Sequence, residues 1–231
     1  MLRTELIRPI PELVQAHAHD RGEKTAYRDA CRSLTYSELA ARTRRLAGHL
    51  RARRLGRGDR AVIYMDNSVE VAESYLAITR AAAVGVCVNP QAAEREASYM
   101  LEDSGARVIL TDPAHLDMAR TLAVQASTVE NILVTGAEDA LPAPVDGIDN
   151  YEDAATTEPG WPARDDLGLD EPAWMLYTSG TTGRPRSCLV DLVGRVLHDH
   201  RRDQEARAYG CGVGVVGAVD AVASCTGASV E

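Results

Sequence analysis

Ala61-Val62-Ile63-Tyr64-Met65 is a short apolar run that ends in the turn-prone Asp66-Asn67-Ser68, and Val69 to Ala83 follows with Val69, Ala72, Leu76 and Ala83 on one helical stripe. The alternation then repeats. Val84-Gly85-Val86-Cys87-Val88 reads as a strand closed by Asn89-Pro90, Glu94 to Asp103 as a helix and Ala106 to Leu110 as a strand. Pro113 to Val124 reads as a helix and Val129 to Val134 as a strand. Strands separated by helix-length segments need crossover connections, so the expected fold class is α/β, a mostly parallel sheet with helices on both faces.

Upstream, Thr35-Tyr36-Ser37-Glu38 has the pattern of a capping box, and Leu39, Leu46 and Leu50 recur behind it at helical spacing. Eight arginines lie between Arg42 and Arg60: Arg42, Arg44, Arg45, Arg51, Arg53, Arg54, Arg57 and Arg60. They read as the solvated side of an amphipathic helix. A nucleic-acid partner is not expected, because the chain of 231 residues carries 34 acidic against 25 basic side chains, a net charge of -9. Only one of those basic residues is a lysine, Lys24, expected in a strand near the N-terminus.

Downstream, Gly136 to Pro172 is rich in proline, aspartate and glutamate and reads as a long surface connection with one short helix near Tyr151. Ala173-Trp174-Met175-Leu176-Tyr177 restores a strand. The cysteines at 31, 87, 188, 211 and 225 are odd in number and lack a Cys-x-x-Cys spacing, which suits a reducing cytoplasm and offers no zinc site. His17 with His19, and His198 with His200, are two apart and diverge on a helix or strand, so no metal pair is expected. No secretory leader is read at the N-terminus, and no membrane span is expected in Ala208 to Val230, where Asp220 would be costly at a bilayer centre.

The segment with the clearest chemistry is Thr178-Ser179-Gly180-Thr181-Thr182-Gly183-Arg184-Pro185-Arg186, directly after an apolar strand. Glycines let successive backbone N–H groups face one concavity, hydroxyls add donors, and arginine adds charge and a forked donor, a set suited to phosphate. Serine, threonine and glycine also cluster in ordinary polar turns. The fixed order of nine residues behind a strand favours phosphate binding. It is not a Walker A loop, since no Gly-x-x-x-x-Gly-Lys-Ser/Thr spacing fits it.

With Tyr177 in front, this segment resembles the phosphate-binding signature of the adenylate-forming superfamily, which includes acyl-CoA synthetases and the adenylation domains of peptide synthetases. Leu34-Thr35-Tyr36-Ser37-Glu38-Leu39, Gly58-Asp59-Arg60-Ala61-Val62 and Asp103-Ser104-Gly105-Ala106-Arg107-Val108-Ile109-Leu110-Thr111-Asp112 agree with it in order and spacing. The resemblance covers roughly residues 9 to 187 and departs mildly where Arg186 and Ser187 stand for the usual lysine and glycine. It implies a two-step reaction in which a carboxylate attacks the α-phosphate of Mg2+-bound ATP, and the acyl group of the resulting acyl adenylate passes to a thiol. That thiol belongs to coenzyme A or a carrier-protein phosphopantetheine. Thr178, Ser179, Gly180, Thr181, Thr182 and Gly183 would hold the β and γ phosphates, with Arg186 as the cation beside them.

The family's later motifs, a Tyr-Gly-x-Thr-Glu segment, a ribose-binding aspartate and a C-terminal lysine, have no counterpart after Ser187. Residues 1–187 are therefore expected to be the N-terminal part of an AMP-binding ligase domain, and residues 188–231 an atypical, out-of-frame or disordered tail. Gly212-Val213-Gly214-Val215-Val216-Gly217 formally fits a dinucleotide fingerprint but lacks the preceding strand and the acidic residue about 20 positions on. Three readings stand: a catalytically incomplete ligase acting on a small carboxylate, a non-catalytic nucleotide-binding remnant or subunit that needs a complementing chain, and an NAD-binding oxidoreductase. If the tail is out of frame, translation of the other two frames beyond codon 187 recovers the adenine, ribose and lysine motifs; their absence from both frames sinks that idea.

Overall fold

The computed structural model describes residues 8–136, 145–178, 186–192 and 196–197. Helix α1 (Ile10–Arg21) precedes a small antiparallel pair, β1 (Thr25–Arg28) and β2 (Ser33–Thr35). Then come α2 (Tyr36–Ala52), β3 (Arg60–Tyr64), α3 (Val69–Arg80), β4 (Val84–Cys87), α4 (Glu94–Ser104), β5 (Val108–Thr111), α5 (Leu116–Gln125) and β6 (Asn131–Val134). The chain continues through β7 (Ile148–Asn150), α6 (Tyr151–Thr156), β8 (Pro172–Thr178), β9 (Arg186–Asp191) and β10 (Val196–Leu197).

Among the described residues the main sheet has eight strands in the order β10-β9-β8-β4-β3-β5-β6-β7. The six from β8 to β7 run parallel, and β9 and β10 are added antiparallel at one edge. Period-two alternation sends side chains to both faces, and both faces are buried. Ala61, Ile63, Val108, Leu110 and Leu133 join Leu46, Leu50, Ile78 and Tyr151 under α2, α3 and α6. Val62, Tyr64, Val86, Ile109 and Ile132 join Met100, Leu101, Leu116 and Leu122 under α4 and α5. The α/β architecture expected from the alternation is the one observed.

The capping box forms with both arms: Glu38 donates its N–H to Thr35 Oγ1 at 3.3 Å, and Thr35 donates its N–H to Glu38 Oε2 at 2.8 Å. At the end of α4, Gly105 adopts φ of 60° as a left-handed cap, and Arg60 donates to the carbonyls of Ser104 and Gly105. This grip fastens the C-terminus of α4 to the start of β3. Lys24 lies one residue before β1 and is exposed.

The eight arginines from Arg42 to Arg60 form a solvated face only in part: Arg53, Arg54 and Arg57 are exposed, but the face also meets carboxylates that its spacing does not reveal. Arg42 is buried and forks onto the fully buried Glu73 at 2.5 and 3.1 Å, with further bonds to Glu152. Arg44 and Arg45 reach Glu158, Arg53 reaches Asp149, Arg57 reaches Glu171, and Arg51 donates to the Pro162 carbonyl while lying over the Trp161 ring. Every acceptor named after Glu73 belongs to the acidic 145–171 segment, so the expected surface connection is a strap laid along α2. Its one short helix falls where the sequence suggests, at α6, and buries Tyr151, Ala154 and Ala155. At the far end Arg80 donates to both Asp165 oxygens, to the Ala40 carbonyl and to Thr43 Oγ1.

Contact between helix and strap is close at Gly48, where an added Cβ would run into Pro159 and the Trp161 carbonyl. Alanine favours helix by about 1 kcal/mol over glycine, so helix propensity alone makes Gly48→Ala stabilising. The clash makes it destabilising by about 1–3 kcal/mol, and urea unfolding decides the sign.

Arg44 and Arg45 pull the Glu158 carboxyl down to about 2. Burial alone would raise Glu152 and Asp149, but hydrogen bonds from Arg42 and Arg32 outweigh it at Glu152, and those from His49 and Arg53 at Asp149, so both are lowered. Groups lowered by folding stabilise above the ordinary carboxylate pKa of about 4 and lose that contribution as pH falls toward their folded values. Glu73 acts in the opposite sense, because burial raises it despite Arg42. The strap carboxylates dominate by number, so the thermal midpoint is expected to drop between about pH 4 and pH 2. A midpoint that is flat or rising on acidification through that window contradicts the ion-pair account.

Candidate phosphate-binding hairpin

Strand β8 enters the sheet parallel to β4, with Gly85 beside Trp174 and Val86 beside Met175. Gly85 leaves room for α3 at this rung: a Cβ there would press on the Tyr75 ring at 3.2 Å and come into ordinary contact with Trp174 at 3.5 Å. The chain then reverses. β9 returns antiparallel along β8, and the last rung of the hairpin sets Thr178 opposite Arg186.

The structure thus brings the first and last members of the expected phosphate-binding set to one rung, at the carboxyl end of a parallel strand. Open α/β sheets take their ligands outside that edge. The other members, Ser179, Gly180, Thr181, Thr182 and Gly183, lie outside the described residues, as do His198, His200 and the Gly212 to Gly217 run. By composition the set from Thr178 to Arg186 suits an anion, with two glycines, hydroxyl residues and the charge of Arg186. β9 also continues past residue 187, pairing Cys188 with Leu176 and Leu189 with Met175. Leu192 beyond it packs with Leu167, Ala173 and Ala82.

Immediately before the turn, Tyr177 donates its hydroxyl to Asp103 Oδ2 at 2.9 Å and approaches the Met100 carbonyl at 3.2 Å. Both acceptors are on α4. Asp103 sits in one of the segments that carried the family resemblance, but nothing in the sequence links it to position 177.

The same carboxyl edge holds one group that sequence reasoning missed. Asp66 follows β3, Asp112 and His115 follow β5, and each offers a ligand atom within 4.8 Å of the others. Asp112 already has work as a turn clamp. Its Oδ1 accepts the His115 N–H at 3.0 Å and lies 2.6 Å from His115 Nδ1, and its Oδ2 accepts the Asp66 N–H at 2.9 Å. The Asp-x-x-His spacing is the signal that could have found this clamp. His115 also stands edge-on to Tyr64 at 5.6 Å. No helix among the described residues is long and apolar enough to cross a membrane.

The family model described as AMP-binding enzyme matches residues 14–201. A protein from Thauera aromatica named 3-hydroxybenzoate–CoA/4-hydroxybenzoate–CoA ligase is 37% identical over 186 residues, which is 80% of this chain and 33% of that one. A protein from Aspergillus candidus named chalcone synthase cfoA is 39% identical over 199 residues, 82% of this chain and 7% of that one. Among solved structures, the anthranilate CoA ligase AuaEII in complex with anthranoyl-AMP superposes with a TM-score of 0.69 at 21% identity, over 83% of this chain and 36% of that one. The chain therefore spans about a third or less of the length of the curated relatives it matches here.

Proposed function

Since the chain belongs to the AMP-binding enzyme family, we propose that it carries the phosphate-binding part of an enzyme that activates a carboxylate with ATP. The observation that supports this most is the hydroxyl- and glycine-rich turn that joins Thr178 to Arg186 at the carboxyl end of β8. Thr178, Ser179, Gly180, Thr181, Thr182 and Gly183 hold the β and γ phosphates, and Arg186 supplies the positive charge beside them. Mg2+ arrives with the nucleotide.

In the first step a carboxylate oxygen bonds to the α-phosphorus while the bond to the pyrophosphate oxygen breaks. The turn's task is to stabilise the departing pyrophosphate, which preorganised N–H groups and a fixed cation do without reorganising at the moment of reaction. In the second step the thiol sulfur of coenzyme A or a carrier-protein phosphopantetheine attacks the acyl carbon, and AMP leaves. The name of the Thauera relative supports an aromatic carboxylate as the substrate class. The five cysteines, odd in number and without a Cys-x-x-Cys spacing, suit a reducing cytoplasm.

A second reading is favoured by the fraction of the relatives that is covered: a nucleotide-binding subunit completed by another chain, or a remnant. Both readings expect this chain to bind MgATP and to show little hydroxybenzoate-dependent exchange of labelled pyrophosphate into ATP by itself. Arg186→Ala and the double change Thr181→Ala with Thr182→Ala should each weaken MgATP binding about tenfold, measured by calorimetry. Unchanged affinity in both variants overturns the phosphate-binding assignment. Exchange at the rate of a full-length ligase overturns the expectation of incompleteness.

A further inference from the structure

We infer that Asp103 is a positioning residue for the phosphate-binding turn, acting through the hydroxyl of Tyr177; for its effect on nucleotide the inference rests on the function proposed above. The ladder between β4 and β8 consists of Gly85 beside Trp174 and Val86 beside Met175. Leu176, Tyr177 and Thr178 pair with Cys188, Ser187 and Arg186 of β9. The last three residues of β8 therefore extend past the parallel rungs as one arm of a hairpin, and a two-stranded arm is weakly held by its own ladder. Tyr177 supplies a tether back to the core. Its ring packs against the apolar cluster under α4 and α5, and its hydroxyl ends on Asp103 Oδ2 at 2.9 Å and the Met100 carbonyl at 3.2 Å.

The other end of the tether is itself fixed. Met100 and Leu101 are buried, Gly105 caps α4 in the left-handed conformation, and Arg60 holds the Ser104 and Gly105 carbonyls. A continuous set of contacts thus runs from β3 through Arg60 to the end of α4, then through Asp103 and Tyr177 to the rung of Thr178 and Arg186. A hydrogen bond to a carboxylate is stronger than one between neutral groups, and it fixes where the hydroxyl end of the tyrosine sits.

The test compares the full chain with Tyr177→Phe, Asp103→Ala and Asp103→Asn. Tyr177→Phe keeps the ring and removes only the hydroxyl, and Asp103→Asn keeps an acceptor oxygen while Asp103→Ala does not. Amide hydrogen exchange of peptides spanning residues 178–186 is the first readout and needs no ligand; MgATP affinity is the second. The expected result is faster exchange confined to 178–186 and affinity about tenfold lower in Tyr177→Phe and Asp103→Ala, with Asp103→Asn close to wild type in both. Unchanged exchange at 178–186, exchange that rises equally across β3 and β5, or unchanged affinity in a chain whose turn has loosened overturns the inference. Should the wild-type chain bind no MgATP, the proposed function fails, and the exchange comparison still decides the role of Asp103.

Discussion

Strand β8 reaches its place beside β4 only by crossing the sheet, and the ion pairs between helix α2 and the 145–171 strap hold that crossing. β7 lies at one edge, and four strands, β6, β5, β3 and β4, separate it from β8. At ordinary strand spacing the chain must cover about 24 Å over one face of the sheet. That face is already roofed by α2 and α3, so the strap lies on top of helices and has little apolar surface to bury. Tyr151, Ala154, Ala155 and Leu167 are its buried apolar anchors, and charge does much of the rest.

Two of the charge contacts are deep. Glu73 and Arg80 are almost wholly enclosed, one meeting Arg42 and the other Asp165. Taking such charges from water costs several kcal/mol per ion, roughly what the pairing returns, while removal of one partner alone costs about 3–5 kcal/mol. Such pairs add little net stability, but they penalise any path of the strap that leaves a partner unmatched. Arg80 shows how: one guanidinium joins the strap at Asp165 to α2 at Ala40 and Thr43, and Asp165 also accepts from Gln15 of α1 at 2.6 Å.

The consequence for function is placement. The strap delivers β8 so that its carboxyl end lies on the same edge as the ends of β4, β3 and β5, the edge where α/β sheets bind ligands. At that edge Asp112 is tied to Asp66 and His115, while Tyr177 reaches back to Asp103 in the last turn of α4. The edge of the parallel core is thus built as a fixed platform from which the hairpin projects.

Much of this was legible in the order of residues. Strands β3 to β6, helices α3 to α5 and the capping box at Thr35 follow from local signals, because backbone pairing and one-sided burial impose periods of two and 3.6 on any chain that forms them. The Thr178 to Arg186 segment stands out in sequence for a different reason, the fixed order of its glycine and hydroxyl residues behind an apolar strand, and it is on that order that the proposed phosphate binding rests. Helix α1 was not found, because it buries only Pro11 and Val14 and shows little apolar periodicity. β7 was not found because its three residues are only half-buried. The arginine stripe misled in part, and for a deeper reason: charge on a helix face looks the same in sequence whether its partner is water or a carboxylate about 30 to 115 positions away. The order of residues alone settled the fold class and the family. Tertiary structure alone decided that the arginines face the acidic strap and that Asp103 meets Tyr177, because both are pairings between segments far apart in the chain, and only the packed sheet brings them within reach.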